Sequence, residues 1–393
     1  MSMQATIEHL NWRGEGVSGG EVFRHVLAGE RVDTETGEVL RPSAERIDAF
    51  CKYYERCGGC QLQHWQLEPY QAWKKNLITT ALAKRGIEAS PTEIIDAHGA
   101  GRRRVSLHVR KKDGVAAAGF MAPRSHELID IDVCPILTPA LANATDIARK
   151  LGSKLGDCDV ALTATDNGLD VAVKVERKIA EEQLPKLAGL VAELNLLRLT
   201  VNGSLVATHG MPTIAMGKGL VHLPPGSFLQ ATKLGEETLA GLVLAAIGRA
   251  KSVADLFCGI GPFALRIANT AKVMALDTDK AAIAGLAQAV RLTPGIKPLK
   301  TEVRDLMREP VVVSELKEFD AVVFDPPRAG AEAQARQLAK SAVKTVVAVS
   351  CDPASFARDA EILISGGYRL KTVTAVDQFK YTSHVETVGV FSR

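Results

Sequence analysis

Hydrophobic patterning changes along the chain, and each change predicts a different kind of element. Up to about residue 50, short apolar stretches alternate with glycine and charge, as in Gly14-Glu15-Gly16-Val17 and Thr36-Gly37-Glu38-Val39. Such spacing predicts short β-hairpins in a small, incomplete barrel. Between residues 68 and 84, Trp73, Leu77 and Ala81 recur every fourth position with Ile78 and Leu82 beside them, predicting an amphipathic helix. From about 102 to 221 the chain alternates, as in Val105-Ser106-Leu107-His108-Val109, predicting a strand-rich region with helices near 138–152 and 180–194. After Ala231, continuous apolar runs at 252–257, 273–277, 321–324 and 345–350 are separated by helical stretches, and runs at 369–376 and 384–391 follow. Continuously apolar strands are buried on both faces, so this part reads as α/β, a mostly parallel sheet between helices. The expected units are a short N-terminal β segment (1–48), a cysteine-rich motif with a helix (49–95), a β-rich central domain (96–222) and an α/β domain (223–393).

Composition adds less than pattern. The chain has 393 residues, 46% hydrophobic and 5% aromatic, enough for several domains with ordinary cores. A net charge of +3 is too small to signal a polyanionic partner. Arg102, Arg103, Arg104, Arg110, Lys111 and Lys112 form a local basic run, which charge alone reads as a solvated strand edge. The first residues lack a signal-peptide layout and no apolar run is long enough to span a membrane. A cytoplasmic monomer with no membrane partner is expected.

The chemistry-bearing residues cluster at predicted strand ends. Asp255-Leu-Phe-Cys-Gly-Ile-Gly-Pro-Phe-Ala264 follows the first apolar run and opens a helix, and Gly259 and Gly261 let the backbone turn close to a ligand. The next run ends in Asp277, placed either to accept hydrogen bonds from ribose hydroxyls or to cap a helix. This pair of features suits NAD and S-adenosylmethionine equally. The fourth run ends in Asp325-Pro326-Pro327-Arg328, a carboxylate followed by a stiffened backbone beside the cofactor crevice. Strand 345–350 runs into Cys351, which places a thiol on the same rim as Asp277 and Asp325. Near the C-terminus His384 and Glu386 alternate onto one strand face, and both are candidates for a base.

Seven cysteines are present, three of them in Cys51-x5-Cys57-x2-Cys60. Cys134, followed by Pro135, is the expected fourth member of a metal site. Four cysteines suit an iron–sulfur cluster, with zinc as the rival. His64 reads as structural, and Cys158 and Cys258 as packing residues.

Together these residues resemble the RNA 5-methyluridine methyltransferases, most closely the bacterial 23S rRNA uracil-C5 enzymes. The stretches that carry the resemblance are Cys57-Gly-Gly-Cys-Gln-Leu-Gln-His64, Pro225-Gly-Ser-Phe-Leu-Gln230, residues 255–264, Asp325-Pro-Pro-Arg-Ala-Gly330, Ser350-Cys-Asp-Pro353 and His384-Val-Glu386. The resemblance implies a class I S-adenosylmethionine-dependent methyltransferase domain with a Rossmann-like sheet of seven strands. It implies Cys351 as nucleophile and Glu386 as base, and a [4Fe-4S] cluster on Cys51, Cys57, Cys60 and Cys134. It also places Gln230, Phe257, Asp277 and Asp325 at the cofactor, with Asp325 near the uracil and Asp305 at the adenine end. RNA is the implied partner, 23S rRNA first and a tRNA T-loop second. RNA cytosine-C5 methylation and a non-catalytic, redox-sensing RNA-binding protein are the remaining alternatives. Pro262, Asp277 and Asp352 replace the residues more usual in that family (Asn, Glu and Asn). The N-terminal segment resembles a TRAM RNA-binding barrel cut short.

Overall fold

The computed structural model of the chain describes residues 4–176 and 184–393. Among these described residues, the C-terminal part builds a sheet of eight strands. Ser252–Leu256 lies between Lys272–Asp277 and Ala321–Phe324, all parallel. Leu299–Val303 extends one side and Thr345–Ser350 the other. Glu386–Ser392 then inserts antiparallel between Thr345–Ser350 and Arg369–Asp377. The seven expected strands are present, and the correction is an eighth, Ile94–Asp96, parallel to the outer strand. Three residues at a sheet edge are too few to print a hydrophobic period, so only tertiary pairing reveals them.

Alternation shows why these strands read as unbroken apolar runs. Val253, Ala321 and Val323 belong to the core on one side of the sheet. Ala254, Leu256, Val322 and Phe324 belong to the core on the other. Both faces are dry, so neither set can be polar.

Two elements outside the 223–393 segment share these cores. The hairpin Thr213–Met216 with Gly219–His222 contributes Ile214, Met216 and Val221 to the first. Helix Leu67–Ala83 contributes Ile78 and Leu82 to the second. Its fully buried face is Tyr70, Lys74, Ile78 and Leu82, rotated from the Trp73–Leu77–Ala81 stripe, which is only half-buried. A lysine on the dry face is tolerated because Lys74 Nζ meets Asp377 Oδ1 at 2.5 Å, while the Tyr70 hydroxyl donates to the other carboxylate oxygen at 2.8 Å. Paired and hydrogen-bonded on both sides, the charges cost far less than they would alone.

The central region forms, among the described residues, a seven-stranded sheet in the order Leu128–Asp130, Val115–Met121, Arg104–Lys112, Cys158–Thr165, Gly168–Lys174, Leu196–Val201, Ser204–Thr208. Helices Ala144–Leu155 and Leu184–Glu193 share its apolar core, which also holds Cys158. Residues 180–183 of the expected helix 180–194 lie outside the described residues. The strand-edge reading of the basic run is overturned, because Arg104–Lys112 is an inner strand. Arg103 is buried against Glu236 at 2.6 Å and donates to the Gln230 carbonyl, so it joins the central sheet to the α/β region. Only Arg110, Lys111 and Lys112 remain exposed. Before the cysteine motif, six short strands among the described residues form two small sheets around Ile7, Phe23, Val26 and Val32.

Lys74→Met removes one partner of a fully buried pair and strands Asp377. Chemical denaturation should report a loss of about 3–5 kcal/mol, and a companion change of Asp377 to an uncharged residue should recover part of it.

Candidate active site at the carboxyl rim of the sheet

The register of two neighbouring strands assembles the site. Ser350 pairs with Thr387, so the residue after Ser350 comes level with Glu386 on the adjacent strand. Asp325 follows Phe324 on the other neighbour of the Cys351 strand. Cys351, Asp325 and Glu386, far apart in sequence, therefore share one patch of the rim. Helix Pro353–Ser365 starts immediately afterwards, its first turn capped by Asp352, which accepts the Ser355 N–H at 2.8 Å. That cap accounts for Asp at position 352, since Asp and Asn serve equally there.

Electrostatics bind the three groups together. Burial pushes the Glu386 carboxyl up to about 8, and the nearby Asp325 charge adds to the effect. Part of Asp325 stays open to solvent, yet its carboxyl is walled in by protein, which pushes it up to about 7 against a hydrogen bond from Gln230. Burial pushes the half-buried Cys351 thiol up to about 12, with Glu386 and Asp325 raising it further and Arg328 opposing them. Like charges this close resist simultaneous ionisation, so losing the proton of one group makes the next harder to lose.

His384 is placed differently. It precedes the strand, which begins at Glu386. Its Nε2 lies 3.2 Å from an Arg328 guanidinium nitrogen, and burial with that cation pushes it down to about 4. A neutral imidazole whose ring nitrogen faces a guanidinium has that lone pair engaged, which favours Glu386 over His384 as base.

The cofactor candidates occupy the neighbouring stretch of rim. Gly259 (φ +52°) has open space where a side chain would begin, and Gly261 (φ +89°) is pressed against Leu286, leaving no room for a Cβ. Phe257 adopts φ +60°, an uncommon conformation for a bulky residue and a mark of local constraint. Asp277 accepts the Gly259 N–H at 2.8 Å and the Asp279 N–H at 2.8 Å. The cap of helix Lys280–Leu292 is Asp279, not Asp277, so the capping alternative for Asp277 does not hold. Asp305 sits after Leu299–Val303, half-buried, with Arg308 beside it at 3.6 Å.

Two buried residues had been passed over. Gln378 follows the carboxyl end of Arg369–Asp377 and bridges Gln230 and Glu386. The strand-end rule that singled out Cys351 points to it equally. Asp255 is fully buried, and burial pushes its carboxyl well above the usual range against a hydrogen bond from the Ala264 N–H.

The three cysteines of the N-terminal motif and Cys134 come together. Cys51, Cys57, Cys60 and Cys134 line one cavity of about 140 Å³ with Tyr54, Arg102 and Ile136. Among the described residues, no three His, Cys, Asp or Glu side chains form a group that could hold a metal ion as the side chains stand. His64 is not among the residues lining that cavity and bonds the Tyr54 hydroxyl, a structural placement.

A glycine turn at the carboxyl edge of a doubly covered, mostly parallel sheet, with an acid closing the next strand, defines a Rossmann-like nucleoside-binding α/β domain, a geometry that S-adenosylmethionine and NAD share. Comparison with known proteins narrows the class. The profile of the tRNA (Uracil-5-)-methyltransferase family matches residues 222–393. An uncharacterized RNA methyltransferase of Brucella suis is 43% identical over 99% of this chain and 98% of its own. The 23S rRNA (uracil(1939)-C(5))-methyltransferase RlmD of Chromohalobacter salexigens is 33% identical, over 99% of this chain and 89% of its own. The tRNA (uracil-54, C5)-methyltransferase of Pyrococcus abyssi, crystallised with S-adenosyl-L-homocysteine, has the same fold, with a TM-score of 0.79 at 21% identity over 99% of both chains. The chain belongs to the RNA (uracil-C5-)-methyltransferase family.

Alkylation by iodoacetamide, read by peptide mass analysis, tests the electrostatics. In ligand-free protein Cys351 should react slowly at neutral pH and faster as pH climbs towards about 12. Glu386→Gln removes a negative charge that keeps the thiol protonated, so at one fixed mildly alkaline pH Cys351 should react several-fold faster.

Proposed function

We propose that the protein methylates C5 of a uridine in structured RNA, with 23S rRNA as the target, and that Cys351 and Glu386 carry the chemistry. The register that sets Cys351 beside Glu386 and Asp325 is the observation that supports this reading most directly. Uracil C5 is too poor a nucleophile to attack a methyl sulfonium unaided. The Cys351 thiolate forms a bond to C6, and the C5–C6 π electrons move into the ring as an enolate. S-adenosylmethionine, when bound, supplies the methyl group that C5 takes, leaving S-adenosylhomocysteine. Glu386 removes the C5 proton, the C5–C6 double bond re-forms, and the Cys351 sulfur leaves with its electrons. A methyl has replaced one proton, and the thiolate is restored.

Gly259, Gly261, Phe257 and Asp277 are the residues that would hold the nucleoside end of the cofactor. Gln230 and Asp325 would face the reacting groups, and Asp305 the adenine. Arg110, Lys111 and Lys112, exposed at the end of an inner strand, suit the phosphate backbone of RNA. The target base must leave its stack to reach the rim.

Cys51, Cys57, Cys60 and Cys134, which line one cavity, are the residues that would hold a [4Fe-4S] cluster once their side chains turn towards it. Burial pushes Cys60 up to about 11 and Cys134 up to about 12, and each is raised further by the other thiols. Four thiolates in one such space require strong positive charge between them, which a cluster supplies when bound. The relative named for 23S rRNA favours rRNA over tRNA as the target.

Three outcomes test the reading. Cys351→Ala should abolish methylation of RNA while S-adenosylhomocysteine still binds by calorimetry; methylation by that variant would end the covalent scheme. Glu386→Gln should accumulate a protein–RNA adduct that survives denaturant, with 5-methyluridine mapped by mass analysis in 23S rRNA rather than tRNA transcripts. Anaerobically purified protein should be brown with iron and acid-labile sulfide, and stoichiometric zinc in their place would replace the cluster assignment.

A further inference from the structure

The reaction above asks one carboxylate to take a proton at the right moment, and the structure contains a second-layer residue built around it. Gln378 is completely buried and follows Asp377, the acid fixed by Lys74 and Tyr70. Its carbonyl oxygen accepts the Ala231 N–H at 2.9 Å. A backbone N–H can only donate, so this contact fixes which end of the amide is which. The Gln378 amide nitrogen must therefore face the other way, and it donates to Gln230 Oε1 at 2.6 Å and to Glu386 Oε1 at 3.0 Å. With its oxygen so engaged, Gln230 presents its own nitrogen to Asp325 Oδ2 at 2.9 Å. One oriented chain thus runs from Asp325 through two amides to Glu386.

The chain divides the two oxygens of Glu386 into different roles. Oε1 accepts from Gln378. Oε2 is buried and has no partner among the described residues. Space for the bridge is also provided: a Cβ at Gly235 would lie 2.7 Å from Gln378 Oε1 and 2.8 Å from Gln378 Cβ. Real Cβ atoms do not approach so closely, so Gly235 is the residue that leaves room for the amide.

We infer that Gln378 is the positioning residue of the proton-removal step: it ties Glu386 and Asp325 into one hydrogen-bonded chain and, by occupying Oε1 of Glu386, leaves Oε2 as the oxygen that takes the C5 proton. The inference rests on Glu386 as base. Gln378, completely buried, acts through Glu386 and Gln230. The hydrogen bond from Gln378 favours the ionised form of Glu386, opposing burial and the Asp325 charge. Losing it makes Glu386 harder to deprotonate, so a variant without the amide needs a higher pH for the same step.

Gln378→Met keeps the length and removes both donors. The measurement is tritium release from a 23S rRNA transcript labelled with [5-³H]uridine, in the presence of S-adenosylmethionine, across a pH series. Release at neutral pH should fall about tenfold, the size expected for one lost hydrogen bond to a charged group. KM for S-adenosylmethionine should stay within about twofold, the denaturant-resistant adduct should accumulate, and the rising limb of the profile should move up by about one pH unit. Gly235→Ala, which displaces Gln378 without deleting it, should move the profile in the same direction. Wild-type profiles without excess adduct in both variants overturn the inference, and if Gln378→Met does not fold, a wild-type profile in Gly235→Ala does so alone. Should the wild-type protein release no tritium from 23S rRNA or tRNA transcripts, the methylation reading itself fails.

Discussion

The antiparallel insertion of Glu386–Ser392 between Thr345–Ser350 and Arg369–Asp377 is the constraint on which the site depends. A strand slipped by one residue turns every side chain to the opposite face. Here such a slip would take Glu386 away from Cys351 and drive Val388 and Phe391, which belong to opposite layers of core, each into the layer packed for the other's face. The hydrophobic packing that fixes the register and the chemistry that uses it are therefore the same fact seen from two ends of the strand.

That placement concentrates acids where water is scarce. Asp325 sits close enough to Glu386 to raise its proton affinity, and the fully buried Asp255 is raised in turn by burial and by the Asp325 charge. Such crowding is destabilising in itself, and the two-amide chain through Gln230 and Gln378 offsets part of it by meeting one oxygen of each active-site carboxylate. What the site gains is a pair of carboxyl groups held near neutrality, the range in which a side chain exchanges protons usefully.

The same region is tied to distant parts of the chain. Asp377, next to Gln378, is anchored by Lys74 and Tyr70 of helix Leu67–Ala83. The Tyr381 carbonyl accepts the N–H groups of Gln61 and Leu62, and its ring packs beside the cavity lined by the four cysteines. Arg103, immediately before an inner strand of the central sheet, is held by Glu236, which Arg266 also meets. Of the six basic residues that local charge alone assigned to solvent, Arg103 bonds Glu236 and Arg104 the Leu229 carbonyl, Arg102 is half-buried, and Arg110, Lys111 and Lys112 stay exposed.

Much of the rim was legible from sequence because strand ends are local events. Unbroken apolar runs located the parallel strands, and the residues that close or follow them (Asp277, Asp325, Cys351) fell at the carboxyl edge without any knowledge of pairing order. Gln378 obeys the same rule and was passed over because an amide carries no chemical signal of its own; only its partners, about 150 residues away and on the next strand, give it a role. Pairing order, the three-residue eighth strand, the buried lysine and the choice of Asp279 rather than Asp277 as a helix cap were decided by tertiary structure. Periodicity reports which face of an element is dry. It does not report which element lies against that face, and ion pairs, shared protons and oriented amides exist only once that neighbour is in place.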